Sequence, residues 1–221
     1  GRNASFAELR QKHSAVLIAT GVYKARELQA PGSGLNGIHA ALDFLITANR
    51  VGLGDTVEAF EDGTLNASGK NVVVIGGGDT AMDCVRSAIR QGAKSVKCLY
   101  RRNRRNMPGS LREVTNAEEE GVEFIWRAAP ESFLGNSTVS GVRAHRMRLG
   151  QSDASGRQSP EPIEDSSFTL ESEMVIKALG FDPEDLPTLF DETELPLSRW
   201  GTVEVDETTN MSALAGVFGA G

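Results

Sequence analysis

Apolar positions along the chain fall into two patterns. Residues 15–19, 71–75, 95–100 and 122–126 are short apolar runs, and the β-branched run at 71–75 has no polar alternation. Runs of that kind read as strands buried on both faces. Elsewhere the spacing is helical. Ile38, Ala41, Leu42, Leu45 and Ile46 predict a helix over 38–51, and further helices are expected at 80–91 and 110–120. Gly92 and Gly121 stand where the last two would stop. Ser5-Phe6-Ala7-Glu8 has the form of a capping box and opens a short helix to about Lys12. From 71 to 126 the order is strand, helix, strand, helix, strand, which predicts a parallel sheet. Strands at 139–149, 167–170 and 174–178 surround a polar loop at 150–166. They are expected to add a small antiparallel sheet and one more parallel strand. Residues 24–37, 52–69 and the Pro-rich, acidic 182–200 read as irregular. The fold class is α/β.

The first of the parallel strands carries the chemistry. Val72-Val73-Val74-Ile75 runs into Gly76-Gly77-Gly78-Asp79-Thr80-Ala81, a strand followed by G-x-G-x-x-A and a helix. Gly76 permits a tight turn, Gly78 lets backbone approach a pyrophosphate, and Ala81 is small enough for close helix–strand packing. Free N–H groups and the helix dipole would hold the phosphates. The end of the next strand selects the nucleotide. An acid there would bond the ribose 2′-hydroxyl of NADH. This chain instead has Tyr100-Arg101-Arg102-Asn103-Arg104-Arg105, with Arg101 and Arg102 nearest the strand end. Guanidinium groups pair bidentately with phosphate, so the expected cofactor is NADPH, read through its 2′-phosphate.

The remaining residues narrow the possibilities. The 221-residue chain has 23 basic and 30 acidic residues, a net charge of −7, which gives no support for nucleic-acid binding. No apolar run approaches the ~20 residues of a membrane span. Cys84 and Cys98 fit neither a disulfide framework nor a metal knuckle, and buried thiols in a reducing cytoplasm are expected. His13, His39 and His145 have no metal-ligand spacing, and no metal site is expected. Glu118-Glu119-Glu120 reads as a solvated helix face, and Trp126 and Trp200 as packing residues. With no nucleophile or acid–base set of its own, the chain suits hydride transfer, in which cofactors react and protein positions them. No catalytic side chain is expected. The chain begins without Met and ends at Gly216-Val217-Phe218-Gly219-Ala220-Gly221, which reads as a piece of a larger protein.

Several segments together carry a resemblance. They are Gly-Gly-Gly-Asp-Thr-Ala-Met-Asp (76–83), Tyr-Arg-Arg (100–102), Asn-Met-Pro-Gly-Ser (106–110) and Ala-Glu-Glu-Glu-Gly-Val-Glu-Phe (117–124). With Ala-Thr-Gly (19–21), Leu-Asp-Phe-Leu (42–45), Ala-Leu-Gly-Phe (178–181) and the terminal 216–221, they resemble the small (beta) subunit family of NADPH-dependent glutamate synthase. The resemblance covers essentially the whole chain. It implies an NADPH domain, 51–181, inserted in a partial FAD domain made of 1–50 and 182–221, whose two pieces meet in space. It implies hydride transfer from NADPH to FAD, then electron flow through iron–sulfur clusters to a large subunit that forms glutamate. Gly76, Gly77, Gly78, Asp79, Thr80 and Ala81 match the pyrophosphate turn, Arg101 and Arg102 the 2′-phosphate site, and Gly180 a turn near the nicotinamide. Ala19, Thr20, Gly21, Gly219 and Gly221 match segments that approach FAD. The family's first G-x-G-x-x-G and its Cys-rich cluster segment are absent from this sequence. The FAD site is therefore expected to be incomplete, and the isolated chain inactive. An uncovered FAD-domain surface is expected to favour homo-oligomers. Two other readings are a related NADPH–flavin subunit, of the ferredoxin:NADP oxidoreductase or dihydropyrimidine dehydrogenase kind, and an interaction module that binds no nucleotide.

Overall fold

The computed structural model describes residues 3–152 and 158–220. They form two compact units, one of residues up to Arg26 together with those from Phe181 on, the other of Glu27–Gly180.

The Glu27–Gly180 unit is built on a five-stranded, all-parallel sheet. Its order is Ile38–Ala40, Met174–Lys177, Asn71–Ile75, Ser95–Tyr100, Glu123–Trp126. The unbroken apolar run at Asn71–Ile75 is explained by its place in the centre. Val72 and Val74 face one core with Phe44, Met82, Val85, Ala88, Val114 and Ile176, while Val73 and Ile75 face another with Leu99, Phe133, Val142 and Val175. Helices Ala41–Gly52, Asp79–Arg90 and Leu111–Glu119 supply the first core. The second is closed by an antiparallel sheet of Ala128–Gly135, Val139–Ser152, Gln158–Pro162 and Phe168–Glu171. Helices and the antiparallel sheet thus cover the two faces of the parallel sheet in a three-layer stack, and each fully buried Val or Ile is worth roughly 1.5–3 kcal/mol.

The other unit is smaller. Helix Phe6–Lys12 begins with the capping box: the Ser5 hydroxyl accepts from Glu8 N, and the Glu8 carboxylate accepts from Ser5 N. Strand Val16–Ile18 pairs in parallel with Val217–Gly219, so residues from the two halves of the sequence share one sheet. Lys24–Ala25 pairs antiparallel with Phe181–Asp182. Phe6, Ile18, Leu195, Leu214 and Val217 form the core, and Phe6 stacks on Phe190 of helix Leu186–Phe190 at 5.0 Å.

Several sequence expectations change. Ile38–Ala40 is a strand and not the first turn of a helix, because it pairs with Met174–Lys177; the helix starts at Ala41. That pairing places residues 27–50 in the larger unit, and the boundary between compact units falls after Arg26 rather than at 50. Within 150–166, Gln158–Pro162 is a strand that tolerates two prolines because, among the described residues, it pairs on one side, with Val139–Ser152. Ala128–Gly135 is a further strand, and 182–200 contains the helix Leu186–Phe190. Trp200 is 70% exposed and does not pack in a core.

Candidate functional site

The glycine turn lies at the carboxyl end of the central strand. From Asn71–Ile75 the chain passes through helix Asp79–Arg90 to its neighbour on one side, whereas the neighbour on the other side, Met174–Lys177, arrives much later. That is a switch point of the sheet, the place where open α/β sheets generally bind their ligands. The three glycines meet different surroundings. A Cβ on Gly76, at φ +146, would lie 2.1 Å from the Ala178 carbonyl oxygen, and one on Gly77 would strike the Tyr100 ring at 2.4 Å. A Cβ on Gly78 would meet nothing within 4 Å. The protein itself therefore requires glycine at 76 and 77 and leaves open space at 78. Gly78 is the N-cap of a twelve-residue helix and makes no side-chain cap. Among the described residues, the N–H groups of Gly77, Gly78, Asp79 and Thr80 donate to no protein acceptor. Donors concentrated at a helix N-terminus attract an anion. Ala81 is fully buried against the strand, the close packing its size permits.

The arginine segment leaves the next strand at Tyr100. Arg101 is exposed. Arg102 is only 8% exposed, and its Nε is buried without a hydrogen-bond partner. Among the described residues no carboxylate pairs with Arg101, Arg102 or Arg105. Arg104 differs: it pairs with Glu118 and donates to Thr115 Oγ1 at 3.2 Å. A buried, unpaired guanidinium nitrogen is costly, and an anionic ligand would relieve it.

The segment that follows is fixed against the glycine turn. Gly109 N donates to the Gly77 carbonyl at 2.9 Å, and Ser110 N donates to Asp79 Oδ1 at 2.8 Å. The Tyr100 hydroxyl donates to the Asn106 carbonyl at 2.7 Å. Sequence reading quoted Tyr100, Gly109 and Ser110 within motif segments but assigned none of them to the site. Their signal would have been the small Gly109-Ser110 pair beside a second helix start. Arg127 was missed as well. It occupies a left-handed conformation at φ 51 just after the edge strand Glu123–Trp126, with its N–H donating to the Arg102 carbonyl at 2.9 Å.

Of the other candidates, Gly180 also has a left-handed φ of +86 and follows Ala178, whose N–H donates to the Ile75 carbonyl at 2.8 Å. The 178–180 turn thus adjoins Gly76. In the smaller unit Thr20, Gly21, Gly219 and Ala220 line one cavity of about 330 Å³, and Ala19 adjoins it in sequence. Gly221 lies outside the described residues. Cys84 and Cys98 are buried; burial raises both thiol pKa values, Cys98 to about 12. Cys98 Sγ donates to the Gly76 carbonyl at 3.3 Å. Neither thiol is ionised near neutral pH, so neither can act as a nucleophile. Burial also lowers the pKa of His39, with Lys70 adding to the effect and Asp43 opposing it. The expected solvated face at 118–120 is an ion-pair surface, since Glu118 meets Arg104 and Glu120 meets Arg86 and Arg90.

Known proteins share this arrangement of sequence and fold. The chain is 68% identical over all its 221 residues to the glutamate synthase (NADPH) small chain of Azospirillum brasilense and covers 46% of that protein. It is 58% identical, again over its whole length, to a putative glutamate synthase (NADPH) small chain of Cereibacter sphaeroides and covers 53% of it. It therefore spans about half the length of these relatives. Mycobacterium tuberculosis FprA, solved in complex with NADPH, has the same fold, with a TM-score of 0.75 at 19% identity over 99% of this chain and 60% of FprA. Among the described residues no helix is long and apolar enough to cross a membrane. Residues 5–221 match one family along their length, and the chain belongs to the pyridine nucleotide-disulphide oxidoreductases.

Proposed function

We propose that the chain is the NADPH-binding portion of a flavin-linked oxidoreductase of the glutamate synthase small-chain kind. The observation that carries this reading is the pairing of an open Gly78, flanked by unused N–H groups, with a buried and unpaired Arg102 after the adjacent strand. The first feature suits a pyrophosphate and the second a 2′-phosphate. Gly76 and Gly77 shape the turn, while the N–H groups of Gly77, Gly78, Asp79 and Thr80 face the pyrophosphate. Arg101 and Arg102 hold the 2′-phosphate. Gly180, in the turn beside Gly76, leaves room for the nicotinamide. When bound, NADPH supplies a hydride; the side chains bind and orient it. Thiol chemistry is not part of this portion, because Cys84 and Cys98 are buried and protonated.

In this reading Glu27–Gly180 is the NADPH domain and the smaller unit is a returning part of the FAD domain. Ala19, Thr20, Gly21 and Gly219 would approach the flavin there. Iron–sulfur clusters and the glutamate-forming large subunit belong to the longer protein, and free buried thiols suit a cytoplasmic setting. The exposed Leu17, Tyr23 and Trp200 of the smaller unit suit association with a further copy or segment.

Calorimetric titration with NADPH and NADH tests the reading. NADPH is expected to bind at least about tenfold more tightly, one bidentate charge-assisted contact being worth that much. The preference should vanish in the Arg101→Ala/Arg102→Ala variant. Equal binding of both nucleotides by the unaltered chain would sink the arginine assignment.

A further inference from the structure

Asp79 opens helix Asp79–Arg90, yet its carboxylate does not cap that helix. Oδ1 instead accepts the N–H of Ser110 at 2.8 Å, at the start of the next helix, Leu111–Glu119, whose N-cap Ser110 makes no side-chain cap. A carboxylate beside a phosphate cradle carries the same sign of charge as the ligand, and here the N–H dipole at a second helix N-terminus offsets part of that charge and fixes its direction. The bond has a mechanical result. With Gly109 N on the Gly77 carbonyl and Tyr100 Oη on the Asn106 carbonyl, it fastens the far end of the 101–110 segment to the glycine turn. The near end of that segment carries Arg101 and the buried Arg102. We infer that Asp79 is a positioning residue for nucleotide choice: through Ser110 it fixes the arginine segment relative to the pyrophosphate turn and so sets the preference for a 2′-phosphorylated dinucleotide.

This inference rests on the NADPH reading above, and the two fail in different ways. Both partners of the bond can be altered separately. Asp79→Ala removes the acceptor. Ser110→Pro removes the donor at a residue whose φ of −55 already suits proline. Asp79→Asn keeps an oxygen acceptor and loses the charge. NADPH and NADH affinities are measured calorimetrically on each variant, with circular dichroism to verify folding. Asp79→Ala and Ser110→Pro are each expected to lower the NADPH-to-NADH ratio about fivefold or more, the double variant no further, and Asp79→Asn to restore it to within about twofold. A loss confined to overall affinity, with the ratio intact in both single variants, would overturn the inference. Additive losses in the double variant would overturn it too, since the two residues would then act separately. If Asp79→Ala does not fold, the ratios for Ser110→Pro and Asp79→Asn decide. Binding of neither nucleotide by the unaltered chain overturns the NADPH reading and this inference with it.

Discussion

Gly76 and Gly78 are two residues apart and answer to different demands. Gly76 has a left-handed φ, and the Ala178 carbonyl occupies the position a side chain would need. Gly78 has φ −88, which any residue adopts, and open space beyond it. Gly76→Ala is therefore expected to cost about 3 kcal/mol of stability or more, through backbone strain and a clash with backbone. Gly78→Ala should cost less than about 1 kcal/mol of stability. It should nevertheless weaken NADPH binding about tenfold, because the methyl group fills the anion's place and withdraws the N–H contacts. Urea denaturation and calorimetry on the two variants separate these effects. The spacing of the motif is visible in the sequence, but this division of labour is not, since Ala178 lies about a hundred residues away. Arg102 is similar. Its place after the strand could be read directly, whereas its burial depends on the layers that close round it.

Helices Asp79–Arg90 and Leu111–Glu119 are joined by charge. Arg86 pairs with both Glu113 and Glu120, and Glu120 also accepts from Arg90 at 2.9 Å. The hydrogen bond from Arg86 is the main influence holding the Glu120 carboxyl below its usual pKa, with burial opposing and Arg90 assisting. A lowered carboxylate pKa contributes stability that is present above the unfolded value and is lost as pH falls through the folded one. Glu120→Gln should cost about 1 kcal/mol at neutral pH. The gap between variant and parent should begin to narrow as pH falls below the unfolded glutamate value of about 4.3, and close as pH passes the lower folded value, where the parent's carboxylate takes up its proton. Urea titrations at the two pH values check the sign. The helices were legible because their apolar spacing and glycine stops agree. The strand Ile38–Ala40 was not, because the helix behind it has Ala40 at its N-cap and no side-chain signal for its start. A strand of three residues is too short to display a period of its own.

The larger unit is continuous in sequence, whereas the smaller is assembled from two separate segments. Glu27–Gly180 contains both cores that flank the parallel sheet, the glycine turn and the arginine segment. At about 150 residues it has the size at which a single domain buries most of its surface. Expressed alone, residues 27–180 are expected to unfold cooperatively on heating and to bind NADPH within a few-fold of the whole chain. Differential scanning calorimetry and nucleotide titration test both points. The α/β class and the parallel sheet formed by the strands of 71–126 could be read from the strand–helix alternation, whereas the place of Met174–Lys177 beside the central strand could not. The covering antiparallel sheet was harder to read, since Ala128–Gly135 carries Pro130 and Gln158–Pro162 carries two prolines. Composition at those positions resembles loop, and only their pairing partners make them strands.

The parallel pairing of Val16–Ile18 with Val217–Gly219 bears on the order of assembly during synthesis. The earlier partner leaves the ribosome about 200 residues ahead of the later one and stays without it until that stretch has been made. Within the larger unit, Ile38 lies beside Val175, so completing that unit draws the two connecting tails together. The stretch that must still be closed then shrinks from about 200 residues to about 60, which removes roughly 1 kcal/mol of closure entropy. The inserted unit thus acts as a fastener for the ends that surround it. A mutation that slows its folding would prolong the time during which the short apolar strand Val16–Ile18 stands unpaired, a hazard for aggregation rather than for nucleotide chemistry.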